Sequence, residues 1–177
     1  MKARLLLAAC LATALLLAAV PSSASAAPAA TASKACAASG LVVWAGEEPG
    51  GATAGSVYYR IELTNLSAAT CAVKGYPKVN AVDLKGRRIG AFATHERGKR
   101  VKRVTLAPGQ SATATLRIVD ALNFPADKCK ATTAAGLRVG IPGGHGNKIA
   151  PLAFETCTRS ITKTLSVAPV RASAGTH

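Results

Sequence analysis

The chain predicts an all-β fold, a sandwich of about eight short strands stapled by two disulfides. Three observations carry that expectation. Apolar and polar residues alternate at period two in the clearest segments, and turn residues recur between them at near-regular spacing. No sustained i, i+3, i+4, i+7 pattern occurs anywhere, and an even number of cysteines follows a leader-like start.

The two ends are read first, because they bound the domain. Lys2 and Arg4 precede an apolar run from Leu5 to Val20, Pro21 ends it, and Ala24-Ser25-Ala26 supplies a small-x-small cleavage pattern. Residues 1–26 therefore read as a secretory signal peptide, with an uncleaved anchor as the alternative. Leu7-Ala8-Ala9-Cys10 also matches a bacterial lipoprotein site, but cleavage there leaves almost no apolar core upstream, so lipidation through Cys10 is a minor alternative. No later stretch is long and apolar enough to span a bilayer. Residues 27–35 are Ala, Ser, Thr and Pro with one Lys, a flexible lead-in that cannot bury a core. Residues 36–170 form the domain, and 171–177 are a small polar tail expected to fray. The expected location is secreted or cell-surface.

Beyond the leader stand Cys36, Cys71, Cys129 and Cys157. In an exported chain they read as two disulfides with three formal pairings. Cys36–Cys71 and Cys129–Cys157 are favoured, because each joins neighbours and ties an end of the domain to an adjacent strand. Each closed loop then contributes roughly 3 kcal/mol in the chain-entropy account. A four-thiolate metal site is disfavoured: the spacings of 35, 58 and 28 residues contain no closely spaced pair.

In chain order, the expected strands are Leu41–Ala45, Val57–Leu63, Cys71–Lys74, Lys78–Leu84, Val101–Leu106, Ala112–Ile118, Gly136–Ile141 and Thr162–Val167. Val57, Tyr59, Ile61 and Leu63 alternate with Tyr58, Arg60, Glu62 and Thr64, the mark of a half-buried antiparallel strand. Ala112, Ala114, Leu116 and Ile118 do the same against Thr113, Thr115 and Arg117. Reversals are expected at Glu48-Pro49-Gly50-Gly51, Asn65–Ala68, Lys85-Gly86, Pro108-Gly109 and Gly143–Asn147. Short helical turns are expected only at Asn123-Phe124-Pro125 and Ala131–Ala135. Trp44, Tyr59, Tyr76, Phe92, Phe124 and Phe154 are assigned to core or rim packing, with a Tyr58/Tyr76 stacking platform as the alternative.

The ordered set of residues is itself informative. Cys36 and Leu41 precede Leu63-Thr64-Asn65-Leu66-Ser67 and Cys71, and Gly75-Tyr76-Pro77 and Val79 follow. Then come Leu106, Pro108-Gly109, Ser111-Ala112, Leu116, Cys129, Leu137, Val139, Cys157, Leu165, Val167 and Pro169-Val170. This order resembles the actinobacterial exported family named domain of unknown function 4232, from about Cys36 to Val170. The resemblance implies an immunoglobulin-like sandwich and export or attachment at the cell surface, with no established activity or site residues. It departs at Leu116, where Arg117-Ile118-Val119 follows and family members often carry Trp.

Motifs for chemistry are missing. G-x-S-x-G, H-E-x-x-H and Walker-type loops do not occur, so the chain is read as a non-enzyme without cofactor or metal. The run Gly143–Lys148 reads as a mobile hairpin whose His145 is a solvated loop residue. Asn65-Leu66-Ser67 is a sequon read as a turn. The one concentration is basic, in a chain of net charge +14. Lys85, Arg87, Arg88, Arg97, Lys99, Arg100, Lys102 and Arg103 crowd one stretch in which Glu96 is the lone acid. Such a stretch suits an anionic cell-wall polymer or an envelope protein, with salt-sensitive binding. Nucleic acid is disfavoured because no aromatics interleave. A solubilising, charge-guarded edge is the plain reading, and a secreted inhibitor presenting Gly143–Lys148 is the alternative function. Oligomeric state is left open.

Overall fold

The computed structural model describes residues 33–173. The leader at 1–26, Cys10, most of the lead-in and residues 174–177 lie outside the described residues. The described chain is all-β with twelve strands: β1 Leu41–Thr53, β2 Ser56–Asn65, β3 Cys71–Lys74, β4 Lys78–Val82, β5 Arg88–Phe92, β6 Thr94–His95, β7 Arg103–Leu106, β8 Ser111–Val119, β9 Ala131–Gly140, β10 Asn147–Cys157, β11 Leu165–Val167 and β12 Arg171–Ala172. One α-helical turn, α1, spans Ala126–Cys129, and 3-10 turns lie at Ala38–Gly40 and Ala121–Asn123.

The larger sheet runs β1-β2-β8-β11-β6, with β12 also against β8; the smaller runs β10-β9-β4-β5, and β3 pairs with β7. In chain order, β1-β2-β8 and β10-β9-β4-β5 reproduce the A-B-E and G-F-C-C′ neighbours of an immunoglobulin-like sandwich. The expected fold class is therefore the observed one.

Alternation explains how the sheets close on each other. Tyr59, Ile61 and Leu63 of β2 and Ala112, Ala114 and Leu116 of β8 are buried. They join Val79 and Ala81 of β4 and Leu137 and Val139 of β9 in one core cluster. Each large aliphatic side chain so buried contributes about 2 kcal/mol.

Both favoured disulfides are present, Cys36–Cys71 and Cys129–Cys157. Neither joins β2 to β9, the strands that the antibody-domain disulfide connects. Instead, one ties the segment before β1 to β3, and the other ties the end of α1 to the end of β10.

Several expectations are corrected. Glu48-Pro49-Gly50-Gly51 does not reverse the chain but lies within β1, where the register with β2 shifts between Glu47 and Ala52. The reversal comes at Ala54-Gly55, where Gly55 takes φ +72°. Ala131–Ala135 is the first half of β9, not a helical turn, because its backbone pairs with β10 from Cys157↔Ala131 onward. The helical turns precede it and flank the expected Asn123-Phe124-Pro125, a 3-10 turn at Ala121–Asn123 before it and α1 after it. The strands β5, β6, β10 and β12 were not foreseen. The lead-in is bound at its end, where Lys34 carbonyl accepts from Ala72 and Ala35 bridges to Ala72. The tail is also paired at its start, since Arg171↔Thr113 and Ala172↔Ala112 extend the larger sheet.

The Gly143–Lys148 run does form a hairpin, but its backbone is fastened. Ala38 N–H donates to His145 carbonyl at 2.8 Å and His145 N–H to Cys36 carbonyl at 3.1 Å. Of the aromatics, Tyr59 and Phe154 are core, whereas Trp44 is 50% exposed and Phe92 37%. Tyr76 stacks on His95 and not on Tyr58.

Candidate functional site

The inward phase of β4 and β9 is apolar, so period two turns Lys78, Asn80 and Arg138 to the outer face of the smaller sheet. Register then lines them up across strands. One row runs Phe92, Asn80, Arg138, Ile149; the next runs Lys78, Gly140, Asn147. Gly140 leaves open the space beside Lys78, whose Cβ lies 3.2 Å from where a Gly140 Cβ would stand.

These residues form an open groove of about 570 Å³. Lys78, Arg88 and Arg138 line it, and no carboxylate does. Phe92 organises two of the cations, with Lys78 Nζ 4.5 Å and the Arg88 guanidinium carbon 4.8 Å from its ring centroid. Contacts of this kind are worth about 0.5–1 kcal/mol at exposed sites. Arg138 is fixed by one bond, from Nη2 to Gly86 carbonyl at 2.6 Å. Its Nε is buried without a hydrogen-bond partner. Three cations held without a counter-charge are suited to polyvalent anions.

The structure distributes the eight expected cations. Arg88 alone joins this groove. Lys85 and Arg87 flank the β4–β5 turn, where Arg87 Nε meets Asp83 Oδ2 at 2.7 Å. Asp83 Oδ1 also accepts the backbone N–H of Lys85 and of Arg87. The Arg87 N–H foremost holds the Asp83 carboxyl below its ordinary range; burial opposes it, and the Arg87 side chain and the Lys85 N–H add to the lowering. Arg97, Lys99, Arg100 and Lys102 lie exposed between β6 and β7. Lys99 and Arg100 line a second groove of about 300 Å³ with Tyr58, Thr115, Glu96 and Arg171. Arg103 heads β7 and donates to the Ser33 carbonyl.

Sequence reading missed Lys78, Arg138 and Arg171. Their signal was available for two of them: each is a cation on the outward phase of a strand whose inward phase is Val79 and Ala81, or Leu137 and Val139. Among the described residues, no three His, Cys, Asp or Glu side chains gather as a metal site, and no helix is long and apolar enough to cross a membrane.

Fold and site together define a small immunoglobulin-like module, closed by two disulfides, with cationic grooves on its sheet faces. The chain belongs to the family described as Domain of unknown function (DUF4232), which it matches over residues 36–171. No curated protein matches it.

Proposed function

We propose that this is an exported, non-enzymatic module that binds anionic polymers of the cell envelope. The observation that carries the reading is the Lys78–Arg88–Arg138 groove, which gathers three cations around Phe92 with no carboxylate on its walls. The second groove, with Lys99, Arg100 and Arg171, supplies a further contact for a chain long enough to reach it. The two disulfides fit an oxidising compartment outside the cytoplasm. A polymer of phosphate or uronate units releases counterions when such cations dock, so affinity falls steeply with salt.

The test is co-sedimentation of the protein with purified cell walls across a salt series. Binding is expected at low salt, lost when anionic polymers are stripped from the walls, and weakened by Lys78→Glu with Arg88→Glu. Both side chains are exposed, so circular dichroism should report an unchanged fold. Undiminished binding by the folded double variant refutes the groove, and no binding at low salt refutes the reading.

A further inference from the structure

Trp44 stands on β1, the edge strand of the larger sheet, and is 50% exposed although its neighbours Val43 and Ala45 are buried. Its indole lies along its own strand over Gly46. A Cβ on Gly46 would stand 2.1 Å from Trp44 Cη2 and 2.3 Å from Cζ2, so only glycine leaves room for that pose. Arg60, paired opposite Gly46, holds its guanidinium carbon 5.9 Å from the ring centroid. The result is an aromatic surface held down on an open sheet face.

Val42 shares the outward phase of β1 with the ring and is 49% exposed, but the strands beyond present polar side chains. One row runs Trp44, Glu62, Thr113, Arg171; the next runs Gly46, Arg60, Thr115. Arg60 Nε is buried without a partner, and its ion pair with Glu48 is long at 3.9 Å. An apolar partner covering this face would strip water from the partly exposed Arg60 and Glu48 side chains, a cost of about 1–3 kcal/mol for each group left unpaired. A sugar ring avoids that cost. Its axial C–H face packs on an indole, while its equatorial hydroxyls exchange hydrogen bonds with a guanidinium and a carboxylate. Trp44 stands at the open β1 edge of this face, which suits a ribbon-like chain lying along it.

We propose that this face binds an extended, equatorially linked pyranose polysaccharide, with one ring stacked on Trp44 and its hydroxyls bonded to Arg60 and Glu62. The site lies on the opposite sheet from the Lys78–Arg88–Arg138 groove and requires no anionic ligand, so it stands independently of that groove, although its rows reach Thr115 and Arg171 of the second one.

Trp44 is the single tryptophan of the sequence, which makes its emission a direct reporter. Titration of the protein with cellohexaose and with chitohexaose should give a saturable blue shift for at least one sugar, unchanged in molar salt. Arg60→Ala, which keeps the reporter, should weaken binding about tenfold, equivalent to about 1.4 kcal/mol. Trp44→Ala should abolish the heat of binding in calorimetry with its circular dichroism spectrum intact, while Lys78→Glu with Arg88→Glu should leave the emission shift whole. Absence of a shift with both sugars overturns the proposal. So does a shift that follows protein concentration without sugar, which would assign the face to a second copy of the chain.

Discussion

The Tyr76 ring lies on the imidazole of His95, with centroids 4.1 Å apart and planes 7° from parallel. The same tyrosine donates its hydroxyl to Glu96 carbonyl at 2.9 Å, and Glu96 N–H donates to Val167 carbonyl at 3.0 Å. Tyr76 thus anchors the start of the cationic segment 97–103 against the larger sheet. Tyr76→Phe keeps the stack and loses one hydrogen bond, so urea denaturation should register a loss of about 1 kcal/mol. Tyr76→Ala also loses the stack and its packing, about 3 kcal/mol in all. Amide exchange of residues 97–100 should quicken in both. A Tyr76→Phe protein with unchanged stability and exchange contradicts the anchor.

Gly90, the one glycine of β5, should not tolerate a side chain. Its φ is +59°, and a Cβ would stand 2.2 Å from the Cys157 carbonyl oxygen. Gly90→Ala therefore meets both backbone strain and a collision with main chain that Cys129 holds in place. A loss of about 3 kcal/mol or more is expected, with the Arg88–Phe92 side of the groove displaced. Gly98 is the control, because φ is +73° there but nothing lies within 4 Å of its Cβ position. Gly98→Ala should cost only about 1 kcal/mol. Equal melting temperatures for the two variants would refute the collision.

Where the backbone keeps a strict period, the fold was legible. Val57–Leu63 and Ala112–Ile118 become β2 and β8 and pair directly, Tyr59 with Leu116 and Ile61 with Ala114. β10 was not legible, because Pro151 and the register shift up to Phe154 break its alternation. The same holds for β5, where Gly90 takes φ +59° and the register with β4 slips between Asn80 and Ala81. The candidate site shows the limit more sharply. Lys85–Arg103 is dense in sequence, yet Asp83 takes Arg87 and the Ser33 carbonyl takes Arg103. Lys78 and Arg138 become neighbours only through the β4–β9 register, which no local window contains.

Asn65 is a structural centre, not a glycosylation acceptor, and its removal should be costly. It is fully buried, and its Nδ2 donates to the carbonyls of Ala69 and Leu106, each at 2.9 Å. Its Oδ1 accepts from Ser67 N–H at 3.0 Å and Ser67 Oγ at 2.7 Å. Three of the four bonds close the turn after β2 on itself, the fourth ties it to Leu106 at the end of β7, and together they exhaust the amide's capacity. Asn65→Ala should lose about 3 kcal/mol, and Asn65→Asp at least as much, since a carboxylate cannot donate to the two carbonyls. Expression in a glycosylating host should give a protein of unmodified mass. A glycan found on Asn65 of folded protein would contradict its burial.

Alkaline pH should expose the β1–β2 pair before the rest of the core. Tyr59 is buried opposite Glu47, and burial first, then the Glu47 charge and hydrogen bond, raise its phenol above the ordinary 10.0. The folded chain thus holds this proton more tightly than the unfolded chain. The stability it contributes is complete below the unfolded tyrosine value of about 10 and is lost as pH rises through the folded one. Tyr59→Phe has no proton to lose, so its unfolding free energy should fall less steeply across that window than that of the parent. Glu47→Gln removes the charge while leaving the burial, and should give an intermediate slope. Phenolate absorbance should show a component above the ordinary tyrosine range that Tyr59→Phe eliminates. Identical slopes for parent and Tyr59→Phe would mean that Tyr59 ionises without cost to the fold.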